Sequence, residues 1–190
     1  MAICPYAQFA QHRGGAAAAF PEGAPFGITL HRTRTGWGQA QKFVTSGKYP
    51  HFMVGTEPSS GVRTAGGTTP WGGLIQYEDT AYQTAHHRGE NAKYIGIEFQ
   101  SADAEDYNAV PLSNYQLAIG NLLVGWICDT HGIARKGPPS VKQVNKMERN
   151  VHGIISHADI QKGWNPGAKS NHGDRLSASD FAALGIAPWS

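Results

Sequence analysis

Hydrophobic positions fall into short alternating runs in the first half of the chain and one long helical stripe in the second. In "FGITLHRT", Phe26, Ile28 and Leu30 alternate with small or polar residues, which predicts a strand with His31 near its end. "HFMVG", "GLIQYED" and "YIGIEFQS" predict three more strands, and "GIISHAD" predicts a short one ending at His157. "WGQAQKFVTSG" predicts a short helix ending at Gly47. The longest element runs from about Ser113 to His131. Ser113 suits its N-cap, Ile119, Leu122, Leu123, Trp126 and Ile127 form one apolar stripe, and Gly132 suits the position past its end. Ser177 and Asp180 carry a capping-box signature for a last helix through Leu184, closed by Gly185. Strands and helices intermixed in this way predict an α/β layered domain, helices against a central sheet.

The connecting stretches add less. The Ala and Gly run at Gly14 to Ala19, followed by "PEGAP", predicts an N-terminal lead-in over residues 1–25 of one domain. "EPSSGVRTAGGTTPWGG" predicts a long surface loop, either a groove border or plain decoration. "ARKGPPSVKQVNKMERN" sets Arg135, Lys136, Lys142, Lys146 and Arg149 against Glu148 alone, which suits either a solvated connection or a basic flank facing an anionic polymer.

Composition narrows the class. At 190 residues, 40% of them hydrophobic, the chain can bury its own core, and bulk disorder is not expected. A formal charge of +2 is too mild to predict a nucleic-acid partner. Cys4 and Cys128 make no disulfide framework; Cys128, inside the apolar helix, is expected to be a buried thiol. The N-terminus lacks a basic region followed by an apolar core, so no secretory signal is expected. The longest apolar stretch, Leu117 to Cys128, is too short and interrupted to span a bilayer. Synthesis as a soluble cytoplasmic protein is the resulting expectation.

Nine histidines offer many candidates for chemistry. His12, His51, His131 and His152 carry nothing beyond an ordinary surface or satisfied core reading. His31 and His157 differ, because each sits at the polar end of a short apolar strand, where a rigid sheet can make side chains converge with the accuracy a metal needs. A hydrolytic zinc ion commonly takes three protein ligands and keeps a fourth position open. After His157 the chain offers Asp159, His172 and Asp174, with no compact H-E-x-x-H pattern. Glu98, in "IGIEF", is the best candidate for a general base. By alternation alone it points either to solvent or into a cleft.

In order along the chain, "ITLHRT", "HFMV", "LIQYEDTAYQTAHHRGENAKYIGIEFQS" and "IISHADI" resemble the zinc-dependent N-acetylmuramoyl-L-alanine amidases related to peptidoglycan recognition proteins. "ENAKYIGIE" and the strand-end histidines are the most specific pieces, and the resemblance covers Phe26 to Asp180. It implies a central mixed β-sheet flanked by α-helices, and Zn2+ on His31 and His157 with Glu98 as the catalytic base. The family's third ligand lies in a K-T-D-P-G or H-T-D-P-G type motif. Matching it to "NHGDRLS" makes Asp174 the ligand and puts His172 in the slot of a transition-state-stabilising lysine. The Pro-Gly is missing here, and His172 is itself a competing ligand; "WNPG" is a rival match that would offer Asn165, a poor zinc ligand. His87 matches the family's cleft-lining histidine better than His86 does, with a plain polar loop residue as its alternative, and Asn91 serves loop geometry nearby. Tyr77 and Trp71 are aromatic candidates for stacking on sugar or peptide, with no spacing argument behind them.

The implied activity is hydrolysis of the bond between N-acetylmuramic acid and L-alanine in peptidoglycan, carried out by a monomer. A non-catalytic peptidoglycan-binding module is the alternative. Without a signal peptide, the expected settings are an endolysin released through a holin pore, an injected effector with an immunity protein as partner, or a cytoplasmic recycling enzyme.

Overall fold

Strand β2, Gly27–Thr33, is buried along its whole length. The polar positions of its alternating pattern therefore do not face water; they face a second buried layer. Its neighbours explain this. In the computed structural model, which describes residues 2–10, 17–33, 43–44, 48–57, 62–64, 67–69, 73–84, 86, 92–100, 111–138, 152–157 and 176–189, β2 lies inside a six-stranded sheet. The other strands are β1 (Gln8–Phe9), β3 (Phe52–Val54), β6 (Leu74–Gln76), β7 (Tyr94–Gln100) and β9 (Gly153–Ser156). Their order is β1-β6-β3-β7-β2-β9. Only the β3–β6 pair is antiparallel, so the sheet is mixed, as expected.

One face of the sheet is apolar. Ile28 and Leu30 of β2, Ile95, Ile97 and Phe99 of β7, Phe52 and Val54 of β3 and Ile154 of β9 pack there with the long helix α1, Asn114–His131. Ser113 and Gln116 form a reciprocal capping box at its start, and Gly132 ends it at φ 66°. The buried face of α1 is Gln116, Gly120, Leu123, Val124, Ile127 and Cys128. The expected stripe is thus rotated: Leu122 is 51% exposed, and Ile119 and Trp126 only flank the core. The cause is that two inward positions are not hydrophobic. A Cβ on Gly120 would meet Phe99 and Leu184, and Gln116 Nε2 donates to the carbonyls of Gln100 and Val54 at strand ends.

The last helix, α2 (Ala178–Ala183), has the expected Ser177/Asp180 capping box and is closed by Gly185 at φ 70°. Arg135 ties it to α1: Nη2 donates to the Asn121 carbonyl and side-chain oxygens and to the Leu184 carbonyl. A small parallel pair, β8 (Lys136–Gly137) and β10 (Ala187–Pro188), lies beside this tie.

Two expectations change. The Gly-rich stretch after Glu57 holds an antiparallel strand pair, β4 (Val62–Thr64) with β5 (Gly67–Thr69), whose Val and Thr residues suit strands. The N-terminal lead-in begins inside the sheet. β1 pairs with β6, Cys4 N–H donates to Gln76 Oε1 at 2.7 Å, and Ala2 N–H donates to Asp79 Oδ1 at 2.8 Å. Cys4 and Cys128 are free and buried, and burial pushes the Cys128 thiol up to about 11. Most of the helix expected before Gly47 lies outside the described residues. No described helix is long and apolar enough to cross a membrane.

β2 and β9 meet at Gly27 and Gly153, where a Cβ on Gly27 would run into the Gly153 carbonyl oxygen. Backbone cannot give way as a side-chain tip can. Gly27→Ala is therefore expected to lower the unfolding free energy by about 1–3 kcal/mol, measured by urea denaturation.

Candidate metal and catalytic site

The second face of the sheet collects the polar residues. Parallel register sets His31 beside Glu98, and the β2–β9 pairing, which matches Leu30 with Ser156, brings His157 up alongside His31. These three strands run in the same direction, so their carboxyl ends meet at one edge, the usual place for ligands in open α/β sheets. The His31 and His157 ring centroids are 4.5 Å apart. His31 Nδ1 lies 3.9 Å from Glu98 Oε1, and the Glu98 side chain is 16% exposed. Of the two directions open to Glu98, the fold takes the one towards His31 and away from open solvent.

A further histidine stands here, one that the sequence reading passed over. His86 Nδ1 lies 3.0 Å from His31 Nε2, and His86 Nε2 lies 2.9 Å from the Tyr94 carbonyl oxygen. The signal that marks it is Gly96, a glycine inside an apolar strand, which often means close approach by another group. A Cβ at Gly96 would sit 2.5 Å from His86 Cγ.

His51 backs this group, its ring centroid 5.9 Å from that of His86. It is a satisfied core residue. Nδ1 accepts from the Gly96 N–H at 3.0 Å, and Nε2–H donates to the Tyr82 carbonyl at 2.7 Å. Burial lowers its pKa to about 4, against an opposing pull from the Tyr82 carbonyl. Burial also lowers His131, which meets Thr80 Oγ1 at 2.8 Å. Tyr77 does not reach a substrate: it is fully buried, with its hydroxyl on Met53 Sδ, and burial followed by the Glu98 charge raises its pKa well above the usual value.

His31 and His157 thus supply two adjacent imidazoles on rigid strand ends, which fits two of the three protein positions of a hydrolytic zinc site. Among the described residues no set of three His, Cys, Asp or Glu side chains is placed to hold a metal ion. His172 and Asp174, the expected sources of a third ligand, lie outside the described residues, as do His87, Asn91 and Trp71.

No family model matches the chain, and no curated protein sequence does. Solved structures do. The Staphylococcus aureus hydrolase AmiA superposes with a TM-score of 0.65 at 13% identity, over 96% of this chain and 82% of that one. The N-acetylmuramoyl-L-alanine amidase LysC from Clostridium intestinale gives 0.56 at 12% identity, over 94% of this chain and 98% of that one. The E. coli amidase AmiD, in complex with anhydro-N-acetylmuramic acid-L-Ala-D-γ-Glu-L-Lys, gives 0.54 at 19% identity, over 93% of this chain and 63% of that one. The chain shares the fold of these proteins.

His51 makes stability depend on pH. Its native pKa is about 4 against an ordinary histidine value of 6.5, so between these values the unfolded chain binds a proton that the native chain refuses. Stability is fully present above pH 6.5 and falls as pH drops towards 4, by roughly 3 kcal/mol at one proton over this interval. Urea midpoints measured from pH 7.5 to 4 are expected to fall accordingly. His51→Asn, which keeps an acceptor for Gly96, is expected to start lower at pH 7.5 and to show a shallower fall.

Proposed function

We propose that the chain is a zinc-dependent N-acetylmuramoyl-L-alanine amidase acting on peptidoglycan. The observation that carries this reading is the convergence of His31, His157 and Glu98 at one edge of a sheet whose fold is shared with amidases. His31 and His157 supply two zinc ligands, and Asp174 is the third, with His172 as its competitor for that role. A bound zinc ion contributes Lewis acidity towards the scissile carbonyl and makes a water molecule easier to deprotonate.

Glu98 takes the proton of the attacking water and hands it to the amine of L-alanine as the amide bond breaks. Its place suits both tasks: a strand fixes its backbone, and partial shielding from water strengthens its interactions with charge. His172 donates a hydrogen bond to the developing oxyanion. In this reading His87 and Asn91 bind the substrate. The cell wall is the setting such an activity requires, and the likeness to the Clostridium intestinale endolysin amidase LysCS supports an endolysin-like role.

Purified sacculi incubated with zinc-loaded protein are expected to yield new L-alanine amino termini on intact glycan strands, read by mass spectrometry. Chelator should abolish the release and added zinc should restore it. His31→Ala should lose bound zinc and activity together. Glu98→Gln should keep zinc while turnover drops about 10²–10⁴-fold. Asp174→Ala should lose zinc where His172→Ala keeps it and turns over slowly; the opposite pattern exchanges their roles. Wild-type protein that sediments with sacculi but releases nothing would leave a binding module in place of an enzyme.

A further inference from the structure

Hydrogen-bond donors and acceptors around His86 can be assigned one at a time. The Tyr94 carbonyl only accepts, so His86 Nε2, 2.9 Å away, carries a proton and donates it. In the neutral ring Nδ1 then holds the lone pair. That atom is 3.0 Å from His31 Nε2, which must be the donor of this second bond. His31, if neutral, therefore has its proton on Nε2 and its lone pair on Nδ1, the nitrogen on the side of Glu98. The direction of each bond follows from one backbone carbonyl.

The fold holds this relay in place. Tyr94 opens β7, the strand that also carries Glu98, so the carbonyl that sets the proton pattern is rigidly tied to the site. Gly96 leaves room for the His86 ring above β7, where any Cβ would strike three of its ring atoms. The His31 and His86 rings meet edge to face at 89°, with centroids 5.2 Å apart, and the His51 ring packs against His86 with centroids 5.9 Å apart.

We infer that His86 is a positioning residue that fixes the tautomer and ring orientation of His31, so that Nδ1 is presented as a ligand for a divalent zinc ion. The inference rests on the amidase reading for the identity of the metal only. Groups that fasten the second nitrogen of a metal-binding histidine typically matter about 10–100-fold in metal affinity.

The experiment compares full-length wild type, His86→Phe and His86→Asn. Phe keeps a ring over Gly96 and removes both nitrogens; Asn can restore an acceptor for His31. Two readouts are taken on each protein, after far-UV circular dichroism and thermal melting confirm folding. Long-range ¹H–¹⁵N spectra of the metal-free protein report the His31 tautomer, and competition with a chromophoric chelator reports zinc affinity. Expected are an Nε2–H tautomer in wild type, its loss in His86→Phe together with about 10–100-fold weaker zinc binding, and recovery of most of both in His86→Asn. An Nδ1–H tautomer in wild type overturns the inference, and so does a His86→Phe protein with unchanged tautomer and unchanged affinity. If wild type takes up no zinc, the amidase reading fails. The metal-free spectra then decide on His86 alone: a changed tautomer in His86→Phe supports its positioning role, and an unchanged one overturns it.

Discussion

Parallel register between β2 and its two neighbours is the constraint on which the site depends. Seven consecutive residue pairs lock β2 to β7, and His31 with Glu98 is one of them. Because side chains alternate with a period of two, a slip of one residue would turn Glu98 into the apolar face under α1 and bring an aliphatic neighbour into the cleft. Such a slip would bury a carboxylate among Ile28, Leu30 and Leu123, at a cost no local adjustment could offset. Core packing on one face thus enforces chemical alignment on the other. Glycines opposite one another at Gly27 and Gly153 extend the same lock to β9 and hence to His157.

The histidine-bearing face is a graded environment. At its inner end both His51 nitrogens are taken, Nδ1 by the Gly96 N–H and the Thr84 hydroxyl and Nε2 by the Tyr82 carbonyl, and burial keeps the ring neutral over the ordinary pH range. His86 comes next, bonded to one carbonyl and one imidazole, and His31 and His157 stand at the strand ends. Chemistry becomes available towards the edge, where His31 and His157 stand beside Glu98 at the carboxyl ends of parallel strands. Because the native His51 ring refuses a proton that the unfolded chain accepts, acid erodes the stability of this support as pH falls from 6.5 towards 4.

Much of this was legible in the sequence, and the misses have causes. The strands at Phe26 to Thr33 and Tyr94 to Gln100 could be read because β-branched and aromatic residues alternate there, and their polar exceptions, His31 and Glu98, stood out for the same reason. The α1 caps were readable from local chemistry at Ser113 and Gly132. Its buried face was not, because inward-facing Gln116 and Gly120 do not count as hydrophobic although one satisfies strand-end carbonyls and the other permits close packing. His86 was missed because a residue between elements belongs to no periodic pattern. Its neighbour His87 matched the family motif, while the sign of His86 lay ten positions on, in the missing side chain of Gly96. The N-terminal segment looked like a mere lead-in because the group that binds it, the Gln76 amide, declares its inward direction only in three dimensions.

The Arg135 tie between α1 and α2 has a bearing on how the chain tolerates change before its last helix. It fastens Leu184 to the main helix, while Gly153–Ser156 is held in the sheet, so the chain has a firm anchor on either side of residues 158–175. Closing a loop between fixed ends costs only about 0.6 kcal/mol more for each doubling of its length. With both anchors kept, the sequence between them can therefore be lengthened or rewritten at little cost to the stability of the sheet and the two helices.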